Sequence, residues 1–313
     1  FKGKRTNKFY RIRKLKLSIN RFWNRWLHQK MQWIPTITLF LFLYPAGWFV
    51  SQFFFLFNRE ISSNNLSILG TIITFILFLI LLPSWGRIRW KTNDIWLSIG
   101  LDFKNKYTAL KIFFNGFIFS VFLIIILFIF FLLSGWIDRV DYIKFIQLLN
   151  AILLIVGIVF AEEMIFRGWL MEEMVLLVGM RRGMIFQSAI FSLAHYRSDL
   201  SLLALIPFLT GLFLFGIVLT FRRIIDKGSL LGCIGLHGGL VGIWYLFDSG
   251  MVSFSIDTPY FLLGPSRNMV NPIGSVIGII ILLITIFFQR RLFARTGRFL
   301  ASTVNASSKD ETP

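Results

Sequence analysis

The chain has 313 residues and a formal net charge of +18, because 33 Lys and Arg stand against 15 Asp and Glu. However, 56% of its residues are hydrophobic and only 15% are charged, whereas soluble domains carry about 25% charged residues. This composition excludes an ordinary soluble domain. Since the basic residues lie between long apolar runs, it also argues against nucleic acid as the partner and favours the lipid bilayer. The single cysteine, Cys233, excludes an intramolecular disulfide and a multi-thiolate metal site.

Apolar runs recur along the chain at the length that crosses a bilayer, which is about 20 residues. They predict an all-α integral membrane protein, a bundle of about eight transmembrane helices, of which the fifth is short. The predicted spans are residues 34–57, 66–83, 112–133, 146–170, 184–195, 200–220, 229–246 and 272–288.

The basic residues indicate how these spans are oriented. Loops on one side of the bundle hold 27 of the 33 basic residues and the other side holds 5, with Arg167 inside a span. Cytoplasmic loops are enriched in Lys and Arg, so both termini of this multi-pass protein are predicted to be cytoplasmic.

The spans and loops divide the chain into five segments. A basic N-terminal arm that mixes Lys and Arg with aromatic residues is expected either to lie on an anionic membrane surface or to act as a simple positive-inside anchor. The segments are the cytoplasmic arm 1–31, helices 1 to 3 in 32–145, a core of helices 4 to 7 in 146–246, an outer loop with the last helix in 247–288, and a cytoplasmic tail 289–313.

Five ionisable side chains fall inside the predicted spans. Each costs roughly 2.5 to 3.5 kcal/mol at the membrane centre on insertion scales, so each is a functional candidate. They are Glu162, Glu163, Arg167, His195 and His237.

Three of these side chains are expected at one depth. At a rise of about 1.5 Å per residue, Glu162 and His237 lie about 12 Å from the cytosolic end of their helices and His195 about 16 Å. A carboxylate and two imidazoles in one cytosol-facing polar cavity can hold a divalent metal such as zinc, or can activate water without a metal. Either route predicts a hydrolase.

The two glutamates are predicted to have different roles. Glu163 and Arg167 are four residues apart, share a helix face and should form an ion pair. Glu162 is rotated by about 100° from Glu163 and is free to face the cavity, so water activation is assigned to Glu162. Glu163 and Arg167 are given a supporting, charge-balancing role, and the alternative is a buried ion pair that only fixes helix packing.

Other polar residues are given structural roles. Arg181, Arg182, Arg222 and Arg223 are expected to anchor loops, Glu172 and Glu173 to form a solvated turn, and His28 to lie without a partner in the basic arm. Glycines around His237 are expected to permit close helix approach.

Three short motifs resemble those of one known family. Residues 161–167 match Glu-Glu-x-x-x-Arg, residues 191–195 match Phe-x-x-x-His, and His237 begins a third motif, His-x-x-x-Asn/Asp. The stretch 150–245 resembles the CPBP family of intramembrane proteases, also called the Abi family. The resemblance implies an eight-helix bundle that cleaves a peptide or protein substrate near the membrane. It also implies that Glu162 and His195 activate water and that His237 stabilises the oxyanion or helps to bind a metal ion.

One position departs from the family pattern. The third motif requires Asn or Asp four residues after His237, where this chain has Val241. Loss of an oxyanion donor typically costs about 100- to 1000-fold in rate. The departure leaves open a catalytically silent scaffold or a protein that confers immunity to a peptide toxin. A transporter with a carboxylate and histidine relay is a third hypothesis, although no inverted repeat supports it.

Overall fold

The computed structural model describes residues 21, 23, 25–27, 33–57, 59–265 and 270–307. It is 80% helical, as predicted for an all-α protein. The chain forms two compact units, Phe1–Ser98 and Ile99–Pro313. Most of the predicted basic arm, including His28, lies outside the described residues.

The first unit is built on two long apolar helices. They are α1 (Trp33–Phe57) and α2 (Ser63–Trp85), and the short α3 (Ile95–Ser98) follows after a π-helical turn at Gly86–Trp90. The two long helices approach closely because Gly47 has no side chain. A Cβ atom there would lie only 2.0 Å from the Thr74 hydroxyl oxygen.

The second unit contains the helices that carry the predicted functional residues. The fourth predicted span is a continuous helical stretch, Phe145–Val178, in which π-helical turns at Leu154–Val159 and Met164–Leu170 separate three α-helical parts. The elements of this unit are α4 (Lys106–Leu133), β1 (Ile137–Val140), α5 (Phe145–Leu153), α6 (Phe160–Glu163), α7 (Met171–Val178), α8 (Met180–Ala194), α9 (Leu202–Ile225), α10 (Leu231–Leu246), β2 (Val252–Phe254), α11 (Tyr260–Leu263) and α12 (Val276–Ser307).

The two strands form a small antiparallel sheet. Ile137 pairs with Phe254 and Val140 with Val252, with an irregularity in register between Ile137 and Arg139. The sheet joins the end of α4 to the end of α10, away from the middle of the helices.

Helix α10 is the centre of the second unit. It is buried along most of its length and packs on α4 through a face of glycines. A Cβ atom on Gly235 would lie 2.1 Å from the Phe113 carbonyl oxygen, and one on Gly116 would lie 2.2 Å from the Gly232 carbonyl oxygen. Such close approach is typical of helices in membranes, and it is what the glycines around His237 predicted.

The membrane-spanning character of the chain is supported, but the number of spans is not settled at eight. Within the described residues, six helical stretches are long and apolar enough to cross a bilayer. They are Trp33–Phe57, Asn65–Trp90, Lys106–Leu133, Phe145–Val178, Leu202–Ile225 and Leu231–Met251. The predicted fifth span is the 15-residue helix α8, and the predicted eighth begins in a 3-10 turn at Pro272–Gly274 before α12.

Candidate active site

Glu162 and Glu163 lie on a single α-helical turn between two π-helical segments. Helix α6 is only four residues long, and the helical hydrogen bonding changes register on both sides of it. π-helical turns are rare and are often found at functional sites. The interruption therefore coincides with the two carboxylates that the sequence had singled out.

Glu163 is the buried member of the pair. Its side chain has no solvent exposure, and Oε1 accepts hydrogen bonds from Arg167 Nη1 at 3.0 Å and from His237 Nδ1 at 2.8 Å. The predicted ion pair between Glu163 and Arg167 is thus present. The contact to His237 was not predicted, since it joins residues 74 positions apart.

The contact with Glu163 orients the His237 ring. A carboxylate only accepts hydrogen bonds, so Nδ1 of His237 carries the proton, and in the neutral ring Nε2 keeps a free lone pair. That Nε2 atom lies 3.8 Å from Glu162 Oε2. The hydrogen bond to Glu163 consequently orients the His237 ring so that its Nε2 atom faces Glu162.

The His195 ring is oriented in the same way, but by a different hydrogen-bond partner. It is the first residue after α8, and its Nδ1 donates to the Phe191 carbonyl oxygen at 2.8 Å. Its Nε2 faces Glu162 Oε1 at 3.7 Å. A helix that ends at Ala194 thus places the second imidazole opposite the same carboxylate.

Glu162 lies between the two imidazoles. Its side chain is 26% exposed, in contrast to the fully buried Glu163. The distances of 3.7 and 3.8 Å to the two Nε2 atoms are too long for direct hydrogen bonds, but they are short enough for one water molecule to contact all three groups. The structure thus brings together the three side chains that were predicted to converge.

Aromatic rings enclose the site. The guanidinium carbon of Arg167 lies 3.8 Å from the centre of the Phe191 ring, which favours the cation electrostatically. The Phe191 and His195 ring centres are 4.6 Å apart, and those of Phe215 and His237 are 5.1 Å apart. These apolar rings lower the local dielectric around the buried Arg167 and His237, which strengthens the electrostatic interactions of these two groups.

The suitability of the site for zinc can be judged from its donors. One carboxylate and two histidines, each held through Nδ1 with Nε2 free, are donor types that zinc accepts. Within the described ranges, however, no group of three or more His, Cys, Asp or Glu side chains is arranged so that it could hold a metal ion. Zinc therefore stays a prediction, and no step below depends on it.

Val241 lies on α10 one turn after His237 and is partly buried. Its side chain can donate no hydrogen bond, so the position offers no oxyanion donor. Among the described residues, Arg167 carries buried donors that form no hydrogen bond, its Nε and Nη2 groups.

One prediction about a neighbouring residue was wrong. Glu173 does not lie in a solvated turn but is completely buried in α7. Arg223 does contact a loop, because its Nε donates to the Gly228 carbonyl oxygen at 3.2 Å. It is also buried, with 6% exposed, and its Nη2 donates to Glu172 Oε1 at 2.8 Å. The polar sequence near the helix ends suggested solvent, but Glu173 is buried and Arg223, near the end of α9, bonds Glu172 of α7. In the sequence, only the proximity of Glu172 to the first motif indicated that these residues lie near the site.

The geometry therefore defines a helical membrane protein with a buried glutamate and histidine site. Residues 142–243 match the family model described as type II CAAX prenyl endopeptidase Rce1-like, which is the CPBP family, so this segment is similar to that family. This confirms the resemblance that the three motifs indicated. Since the family is one of proteases, the match supports a peptidase.

A second family model covers a different part of the chain. Residues 16–94 match a domain of unknown function, DUF8676, and this segment falls within the first compact unit, Phe1–Ser98. Comparison with curated proteins and with solved structures found no match for the chain.

Proposed function

We propose that the protein is a membrane-embedded endopeptidase that hydrolyses a peptide bond near the membrane with a water molecule activated by Glu162 and His195. The observation that carries the proposal is the position of the Glu162 carboxylate, 3.7 and 3.8 Å from two imidazole Nε2 atoms. Both rings are already held through Nδ1. The proposal places one polarised water molecule in contact with these three groups.

The reaction assigns one role to each side chain. Glu162 accepts a proton as the water oxygen attacks the carbonyl carbon of the substrate, and this proton is later returned to the leaving amine as the C–N bond breaks. His195 orients the attacking water through Nε2. His237, when it carries a second proton on Nε2, donates to the oxyanion, and the negative charge that develops on the oxyanion faces the imidazolium.

Arg167 completes the charge arrangement. It neutralises Glu163 in the buried state, so Glu163 can accept from both Arg167 and His237 without an unpaired buried charge. We assign Glu163 and Arg167 to the support of His237 and not to contact with the substrate.

A second candidate function follows from Val241. Without a donor at this position the transition state loses a stabilising contact, and the same fold could bind a peptide without cleaving it. That protein would be a silent membrane scaffold or an immunity protein against a peptide toxin.

The test is cleavage of a peptide library by the protein reconstituted in lipid vesicles. The proposed function predicts products that wild-type protein forms and that Glu162→Ala does not. Equal product from both proteins would contradict the role of Glu162, and no product from either would favour the scaffold. Repeating the assay with a zinc chelator and after zinc addition separates a metal-assisted hydrolysis from one carried by Glu162 and the histidines alone.

A further inference from the structure

Arg223 connects two elements that hold the candidate site. It lies near the end of α9, and all three of its guanidinium nitrogens donate hydrogen bonds: Nη1 to the Arg167 carbonyl oxygen, Nη2 to Glu172 Oε1 at 2.8 Å, and Nε to the Gly228 carbonyl oxygen at 3.2 Å. With a hydrogen bond from each of its three nitrogens and 6% of its surface exposed, this side chain is held in one position.

The first of these acceptors is available because of the π-helical turn. In an α-helix the Met171 amide would donate to the Arg167 carbonyl oxygen, four residues back. Here the Met171 amide donates to the Phe166 carbonyl oxygen, five residues back. Arg223 supplies a donor to the carbonyl group that this register change leaves without its α-helical partner.

From Arg167 the contacts lead directly to the site. The Arg167 side chain binds Glu163 Oε1, and the same oxygen accepts from His237 Nδ1. Gly228, the other backbone acceptor of Arg223, lies in the turn that precedes α10, the helix that carries His237. Arg223 thus ties the backbone on both sides of the Glu163 and His237 contact.

We propose that Arg223 is a positioning residue that holds the Glu163 and His237 pair in register by bonding the backbone of Arg167 and Gly228. The inference rests on the proposed function for its kinetic consequence, but the position of the His237 ring is a structural consequence that needs no activity.

The neighbouring arginine provides a matched control. Arg222 lies on the same helix, but it forms its ion pair with Asp226 one turn away, with Nε to Oδ2 at 2.6 Å. No hydrogen bond from Arg222 to the segment that carries the glutamates is found among the described residues. A change at Arg222 therefore disturbs a similar buried arginine without removing the contact to Arg167.

The kinetic experiment compares Arg223→Lys with Arg222→Lys on one peptide substrate in vesicles. Lysine keeps the charge but cannot serve three acceptors in the planar arrangement of a guanidinium. We expect Arg223→Lys to lower kcat by about 10- to 100-fold with KM nearly unchanged, the usual effect of losing an outer partner of a site, and Arg222→Lys to stay near wild type. In a Glu163→Gln background the Arg223 change should add little, whereas a purely structural role would add its full effect.

A second measurement does not depend on cleavage. The chain has three histidines, so the Nδ1–H resonance of His237 can be assigned by NMR of histidine-labelled protein. We expect Arg223→Lys to move it toward a weaker hydrogen bond, and Glu172→Gln, which releases one anchor of Arg223, to move it less in the same direction. If neither Arg223→Lys nor Glu172→Gln shifts the resonance, the inference is overturned. Absence of cleavage by wild type would overturn only the proposed function.

Discussion

Two adjacent glutamates occupy different environments. Glu163 has no exposed surface and two charged or polar partners, whereas Glu162 is 26% exposed and faces the imidazole nitrogens of His195 and His237 at 3.7 and 3.8 Å. A fully buried carboxylate that already accepts from two partners through Oε1 is suited to support, and a partly exposed one is suited to bind water. The difference in partners gives chemically identical residues separate roles.

Glu163 should therefore matter more than Glu162 for stability. Glu163→Gln leaves the Arg167 charge buried without its partner, which costs about 3 to 5 kcal/mol of unfolding free energy. Glu162→Gln removes no direct hydrogen bond and should change stability little. Reversible unfolding of both variants in detergent checks this difference, and equal losses would contradict the assigned roles.

Asp226 gives a pH dependence at the end of α9. Burial raises the pKa of its carboxyl from 3.8 to about 6, although the partner Arg222 acts in the opposite direction. The folded state then holds a proton that the unfolded chain has lost, so this group lowers the free energy of unfolding as the pH rises from about 4 to about 6. The variant Asp226→Asn has no titratable carboxyl at this position and therefore serves as the reference.

The stability of wild type relative to Asp226→Asn should therefore fall across that window and stay level above it. Unfolding midpoints of the two proteins between pH 4 and 8 measure this difference. A difference that rises with pH would show that the ion pair with Arg222 dominates over burial.

Contacts between residues close in the chain were predictable from the sequence, whereas contacts between distant residues were not. The spacing of Glu163 and Arg167 was sufficient to predict their ion pair, because helical geometry relates residues four apart. The hydrogen bond from His237 to Glu163 and the contacts of Arg223 join distant helices. The residue spacing within one helix does not indicate how that helix packs against another helix.

At the scale of elements, the glycine face of α10 sets the distance between α10 and α4. A methyl group on Gly235 would collide with the Phe113 carbonyl oxygen, which cannot move without its helix. Since His237 lies two residues further on, any separation of the two helices also moves the imidazole.

Gly235→Ala should consequently destabilise the protein by about 1 to 3 kcal/mol, the usual cost of overpacking, and should lower cleavage. Gly157→Ala is the matched control, because no atom lies within 4 Å of a Cβ atom at this position. Its stability should equal or slightly exceed that of wild type, since alanine is favoured over glycine in helices. Equal destabilisation by both changes would argue against the close approach of α10 and α4.

The long helices were predictable from the sequence, whereas the π-helical turns were not. The long apolar helices follow from hydropathy because lipid requires continuous helices. The π-helical turns around α6 left no recognisable signal, since Leu154–Val159 is as apolar as its surroundings. Helix α8 has 15 residues, fewer than the about 20 that usually cross a bilayer.

At the scale of the whole molecule, the basic residues predict that both termini face the cytoplasm. The single native cysteine, Cys233, is buried, which permits a direct test. Single cysteines at Lys91 or Lys227 should react with an impermeant maleimide only from the cytoplasmic side, and those at Arg59 or Arg197 only from the other side. Labelling of all four positions from one side would contradict the predicted topology.

The two family matches fall in different compact units. Composition alone assigned residues 32–145 to the membrane and nothing more specific, because their helices contain little besides Leu, Ile and Phe. The second unit was more informative, since its few charged residues carry a large energetic cost in lipid.

The most direct test of the account is the single-turnover rate at which reconstituted protein cleaves one defined peptide substrate, compared between wild type, Glu162→Gln and the exposed outer-loop control Asp257→Asn. A general base contributes about 10²- to 10⁴-fold to rate. We predict a loss of that size for Glu162→Gln, with unchanged substrate binding and folding, and a wild-type rate for Asp257→Asn. Cleavage by Glu162→Gln at the wild-type rate would contradict the central claim that Glu162 activates the attacking water.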